Sequence, residues 1–201
     1  GEFGFTLQDL ADAKCSEDID YSLELHIEQG GVLEVRKTDI GVVRSIIALR
    51  RYTVECAGAA NHAGTTPMTL RDDALVKAAR FITRVREVVM EVDPGMVGTV
   101  GHLEVQPNAM NVVPGHVTLT LELRGLREDL LERAYQTLME EFREDIISCR
   151  LTMEQPCFHM SEVVQQSIWN AAQELGLTAM TMDSGAGHDS MSLSQVTRAG
   201  M

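Results

Sequence analysis

The amino-acid sequence predicts a mixed α/β fold centred on an α+β unit of order β-α-β-β-α-β. Arg51-Tyr-Thr-Val-Glu-Cys-Ala57 alternates polar and apolar side chains, as a strand with one buried face does. Two longer stretches, residues 72–92 and 128–147, repeat apolar side chains every three or four positions, the mark of a helix with one face on a core. Apolar runs at 96–105, 117–123 and 149–153 fill the places between and after them. From Arg50 to Gln155 the order is that of the split βαβ, or ferredoxin-like, arrangement, in which two helices cover one face of a four-stranded antiparallel sheet. The other face and an edge strand stay open, and an open edge invites pairing with a second copy, so a homodimer is expected.

Taken in order, residues 1–20 are polar and irregular, with a short helix expected near 7–13. Tyr21-Ser-Leu-Glu-Leu-His-Ile27 alternates as a strand, and Glu28-Gln-Gly-Gly-Val-Leu-Glu34 reads as a turn into a brief helix. Residues 42–47 form the next strand. The stripe of the first long helix is read as Leu75, Ala78, Ala79, Ile82, Val85, Val89 and Val92, ended by Asp93-Pro-Gly95. The polar link 106–115 joins the next two strands. In the second long helix the apolar face is Leu130, Leu131, Ala134, Leu138, Phe142 and Ile146. Beyond Pro156 come a helix at 162–175 carrying the only Trp, Trp169, a Gly176 terminus, a strand at 178–182, and the Ser/Gly-rich loop 183–190.

Composition narrows the classes of function. Lys and Arg total 17 against 30 Asp and Glu, a net charge of −13, which argues against nucleic-acid and anionic-membrane partners. No stretch approaches the roughly 20 apolar residues of a membrane span, and no charged-then-apolar leader reads at the start, so a soluble cytoplasmic protein is expected. Cys15, Cys56, Cys149 and Cys157 have no CxxC spacing and read as reduced thiols.

Five polar islands remain: His26, Arg51, His62, Asn111 with Arg124, and the loop 184–189. His26 ends a strand among Glu24 and Glu28, a common way to present an imidazole to a metal ion, although a His between Leu25 and Ile27 is more often structural. His62 sits beside Gly64 in a strand-to-helix connection, where exposed backbone has rigid support on both sides. The loop 184–189 offers free backbone N–H groups for a carboxylate or oxyanion, or else is a tight surface turn. No nucleophile paired with a base and no phosphate loop is present. Arginine forks suit a carboxylate, Asn and His suit a carbonyl oxygen, and a metal ligand nearby suggests hydrolysis of an amide-like bond.

Glu24-Leu-His-Ile-Glu-Gln-Gly30, Asn61-His-Ala-Gly-Thr-Thr-Pro-Met68, Pro107-Asn-Ala-Met-Asn-Val-Val-Pro-Gly115 and Ser184-Gly-Ala-Gly-His-Asp189 closely resemble the M20-type ureido amidohydrolases. That family includes allantoate amidohydrolase, N-carbamoyl-L-amino-acid hydrolase and β-ureidopropionase. The resemblance implies a lid and dimerisation domain at 44–155 inserted into an α/β catalytic domain, of which 1–43 and 156–201 are parts. It implies two divalent ions, zinc or manganese, with His26 as a ligand, and a homodimer joined through the lid. His62 would be catalytic, approaching the scissile carbonyl. Arg51, His62, Asn111 and Arg124 would contact substrate, with Gly185, Gly187 and His188 lining the same pocket. Part of this set would serve the neighbouring subunit. The implied reaction removes the ureido group of allantoate or of an N-carbamoyl-L-amino acid, releasing ammonia and carbon dioxide.

The family places most of its metal ligands ahead of the His-Ile-Glu-Gln-Gly motif and one more His near its C-terminus. Residues 1–25 contain no His. The expectation is therefore an interior portion of such an enzyme, inactive alone, with no metal stably bound. Two alternatives stay open: a non-catalytic dimerising or regulatory module, and another M20-type activity such as a dipeptidase or amino-acid deacylase.

Overall fold

The computed structural model describes residues 4–13 and 18–201. In chain order these form α1 (Leu7–Asp12), β1 (Tyr21–Leu23), α2 (Val32–Arg36), β2 (Ile40–Ile46), β3 (Ala48–Ala57), β4 (Asn61–His62), α3 (Ala74–Val92), β5 (Val97–Gln106), β6 (Val112–Val113), β7 (His116–Gly125), α4 (Glu128–Glu141), β8 (Ile146–Gln155), β9 (Phe158–His159), α5 (Glu162–Glu174), β10 (Ala179–Ser184), α6 (Ser190–Leu193) and β11 (Arg198–Gly200). The chain divides into two compact units. One takes in Gly1–Arg44, Met160–Met180 and His188–Met201, the other Ser45–His159 and Thr181–Gly187. Cys15 lies outside the described residues, while Cys56, Cys149 and Cys157 are free thiols. No described helix is long and apolar enough to cross a membrane.

The second unit is the expected β-α-β-β-α-β body. Its sheet has the strand order β5-β7-β3-β8, and every pairing is antiparallel. Along β7, Val117, Leu119, Leu121 and Leu123 are buried while Thr118, Thr120, Glu122 and Arg124 between them are not. That alternation sends one face to α3 and α4 and leaves a polar face, as a one-sided antiparallel sheet requires. Tyr52, Val54 and Cys56 of β3 join those β7 residues and pack against Ala78, Phe81, Val85, Leu131, Ala134 and Leu138. Phe81 and Phe142 meet edge to face at 5.3 Å between ring centres.

Three details differ from the sequence reading. The buried stripe of α3 runs through Ala74, Ala78, Phe81, Val85, Val88 and Val89, so Phe81 and Val88 are central while Ala79 is exposed. The helix begins at Ala74 because Asp73 accepts hydrogen bonds from the Leu75 and Val76 amides, at 2.9 and 3.2 Å. Helix α4 stops at Glu141, and Ile146 opens β8 opposite Cys56, since β8 pairs along nearly the whole of β3.

In the first unit, β1 pairs in parallel with β11 through Tyr21–Leu23 only. The alternation reaching Ile27 therefore overruns the strand: β11 supplies partners for three residues, and Leu25 and Ile27 are left exposed. Glu28 caps α2, accepting from the Val32 amide at 2.6 Å and the Leu33 amide at 2.8 Å. Helix α5 packs on β11 so tightly that a Cβ on Gly200 would lie 2.5 Å from a Val164 methyl.

Candidate functional site

His62 and Asn111 are brought together by a ladder too short to read from sequence. Strand β4 pairs antiparallel with β6, Asn61 opposite Val113 and His62 opposite Val112. The Ala63 amide then donates to the Asn111 carbonyl at 2.8 Å. The loop is anchored from below: the Gly58 amide donates to Gly115 at 2.8 Å and the Ala59 amide to Asp72 at 2.7 Å. A Cβ on Gly58 would lie 2.3 Å from the Asp72 carbonyl oxygen, so only glycine fits this crossing. Arg71 closes the loop, donating to the carbonyls of Thr66 and Ala63. The Gly64 amide donates to Nδ1 of His62 at 3.1 Å.

Arg51 and Arg124 form a second group, on the polar sheet face. Arg51 lies directly across the β3–β7 ladder from Glu122, and Arg124 is two residues further along β7. Arg51 Nε donates to Glu122 Oε2 at 2.8 Å, and Arg124 Nε to Oε1 at 2.7 Å. One carboxylate thus holds two guanidinium groups, leaving the trio one positive charge. Burial pushes the Glu122 carboxyl up, but hydrogen bonds from Arg51 and Arg124 outweigh it and hold the group below the usual carboxylate range. Arg124 also donates to the Gly185 carbonyl. A Cβ on Gly185 would meet nothing within 4 Å, and Gly187 belongs to the same unit.

His26 and His188 meet in the other unit, edge to face at 4.6 Å between ring centres. Nδ1 of His26 lies 2.7 Å from the Ile27 carbonyl oxygen. A carbonyl only accepts, so Nδ1 carries the proton and Nε2 keeps its lone pair, the form in which imidazole binds a metal. His188 is buried, with Nδ1 3.7 Å from Glu24. Burial holds its imidazole below the ordinary range, while the Glu24 charge pulls the other way. Glu24 also accepts from the Ser190 amide at 2.9 Å and the Ser190 hydroxyl at 2.7 Å. Among the described residues no three His, Cys, Asp or Glu side chains gather as a metal site. His26 suits a metal ion, but the described residues do not complete a ligand set.

Within the sheet unit the expected residues fall into two groups, His62 with Asn111 and Arg51 with Arg124 and Gly185, while His26 meets His188 in the other unit. The first two lie toward opposite ends of the β3–β7 ladder. Arg51 to Ala57 is about 20 Å of extended strand, and β4–β6 begins beyond it. Sequence reading missed Glu122 as the shared anion, although its place two residues before Arg124 on an alternating strand puts both on one face. It also missed Ser190 as the donor to Glu24, and Gly64 as the donor to His62.

Residues 48–148, half of the chain, match the family model described as the peptidase dimerisation domain. The chain is 41% identical over 95% of its length to an N-carbamoyl-L-amino-acid amidohydrolase of Paenarthrobacter aurescens, covering 48% of that protein. It is 38% identical over 92% of its length to the allantoate amidohydrolase of Escherichia coli, covering 46% of that protein. A hydantoinase/carbamoylase-family amidase from Burkholderia multivorans has a similar structure, with a TM-score of 0.86 at 30% identity; the match covers 92% of this chain and 47% of that one. The chain spans about half the length of the curated relatives it matches.

Proposed function

Since the chain belongs to the M20 family through its peptidase dimerisation domain, we propose that it serves a ureido amidohydrolase acting on allantoate or an N-carbamoyl-L-amino acid. Water cleaves the ureido C–N bond, and ammonia and carbon dioxide leave. Arg51 and Arg124 receive the substrate carboxylate, whose charge neutralises the positive excess they share with Glu122. His62 and Asn111 bind the ureido carbonyl oxygen, where negative charge grows as water adds. M20 amidohydrolases generally use divalent metal ions, and His26, with its Nε2 lone pair, is a ligand this chain would offer one. Residues 44–155 are the lid and dimerisation domain, and the protein works in the cytoplasm as a homodimer.

The β4–β6 ladder, which joins the motif around His62 to the motif around Asn111, is the observation that carries this reading. The position of that ladder also supports a division of labour between copies. A molecule the size of allantoate cannot reach from Arg124 to His62 along one β3–β7 ladder, so the His62–Asn111 pair completes the site of the partner subunit.

Mixing two inactive variants of the complete amidohydrolase that the chain serves, His62→Ala and Arg124→Ala, tests this. If the two groups serve different copies, each mixed dimer holds one site with both groups intact, and ureidohydrolase activity returns. A mixture that stays inactive, with mixed dimers shown to have formed, places both groups in the same copy's site and rejects the division. An N-acyl amino acid or dipeptide cleaved in preference to ureido acids rejects the substrate class.

A further inference from the structure

The loop after β4 is tied at several points. The Thr66 hydroxyl donates to the His62 carbonyl at 2.8 Å, and Arg71 holds the carbonyls of Thr66 and Ala63. Ala63 is bound to Asn111 across the ladder. Within this frame the Gly64 amide points at Nδ1 of His62, 3.1 Å away. A backbone amide only donates, so Nδ1 must present its lone pair. In a neutral imidazole the proton then sits on Nε2. Gly64 also passes close to the ring: a Cβ there would lie 3.2 Å from Cε1 and 3.5 Å from Nδ1, so any side chain would press on the imidazole.

We infer that the Asn61-His-Ala-Gly loop fixes His62 as the neutral Nε2–H tautomer, a hydrogen-bond donor, with Gly64 as the positioning residue that sets it. A ring in this form neither takes up a proton at Nε2 nor offers that nitrogen to a metal ion. It can donate to an oxygen that is gaining negative charge. The identity of that oxygen, the ureido carbonyl, rests on the function proposed above, whereas the tautomer does not. His26 is the internal contrast. Its Nδ1 faces a carbonyl, so backbone contacts impose opposite tautomers on the two histidines, leaving a lone pair on Nε2 of one and a proton on Nε2 of the other.

Long-range nitrogen–proton correlation spectra of the histidine rings in the 201-residue chain test this, recorded at mildly alkaline pH and assigned with His62→Gln. His62 is expected to show the Nε2–H pattern and His26 the Nδ1–H pattern. Gly64→Pro, which removes the donor, should return His62 to a tautomer mixture, while Gly64→Ala, which keeps the N–H, should retain the Nε2–H form with shifted ring resonances. An Nδ1–H or averaged pattern for His62 in the unaltered chain overturns the inference without reference to any variant. In turnover of an N-carbamoyl amino acid by the complete amidohydrolase that the chain serves, Gly64→Pro should lower kcat by about 10- to 100-fold with KM within about twofold, the signature of a lost transition-state donor. An Nε2–H pattern in this chain, with no ureidohydrolase turnover by the complete amidohydrolase it serves, would reject the proposed function and leave the tautomer standing.

Discussion

Glu122 stands between two guanidinium groups, and its removal would do more than delete one ion pair. Arg51 and Arg124 would then face each other with no anion between them. Because the folded carboxyl sits below its ordinary range, the stabilisation it gives is complete at pH values above that range and disappears as pH falls through the folded value. Glu122→Gln should therefore destabilise the protein at neutral pH by about 1–2 kcal/mol, a figure already discounted for the solvent exposure of Arg51. Denaturant melts over a pH series should show the gap between wild type and variant closing in acid; a gap that ignores pH would assign the loss to packing instead. Cys56 gives a second prediction at this scale. Burial pushes its thiol up to about 11, with Asp145 adding to the rise and Lys77 opposing it. Its thiolate is scarce at neutral pH, so a disulfide reagent should modify Cys56 only after unfolding, and rapid labelling in the native state would contradict its burial.

Elements differ in how openly the sequence announces them. Helix α3 is legible because nineteen residues hold several turns of a 3.6-residue period, whereas its start is set by the Asp73 cap, which the period does not show. Asp73→Ala should cost about 1 kcal/mol by freeing the Leu75 and Val76 amides, seen as a lower denaturation midpoint with an unchanged slope. The four-stranded sheet is legible for a similar reason, since ten-residue strands such as β7 carry a full alternation. Strands β4 and β6 have two residues each, too few for any period, and each finds its partner across the length of α3 and β5. The juxtaposition of His62 and Asn111 was therefore open to sequence reading only through resemblance. The Arg51–Glu122 pair was hidden differently: both residues were visible, but the register that sets them opposite each other is a property of two strands together.

Across the whole molecule, apolar burial is uneven. The unit built on β5-β7-β3-β8 encloses a continuous core from Ala48 to Phe142. In the other unit Leu25 is 95% exposed, Val35 81% and Ile27 76%. Such side chains are commonly buried, and leaving several exposed in one unit forgoes hydrophobic stabilisation there. Local opening should therefore cost less in the unit containing β1, α2 and β11 than in the sheet unit. Hydrogen exchange of the 201-residue chain should show the amides of β3 and β7 as the slowest class and those of β1 and β11 exchanging well before them. An apolar dye should bind the native chain, and Leu25→Ser with Ile27→Ser should reduce that binding without changing protection in β3 and β7. Equal protection in both units, or dye binding that ignores the two substitutions, would show that the exposed residues do not set the weaker unit's stability.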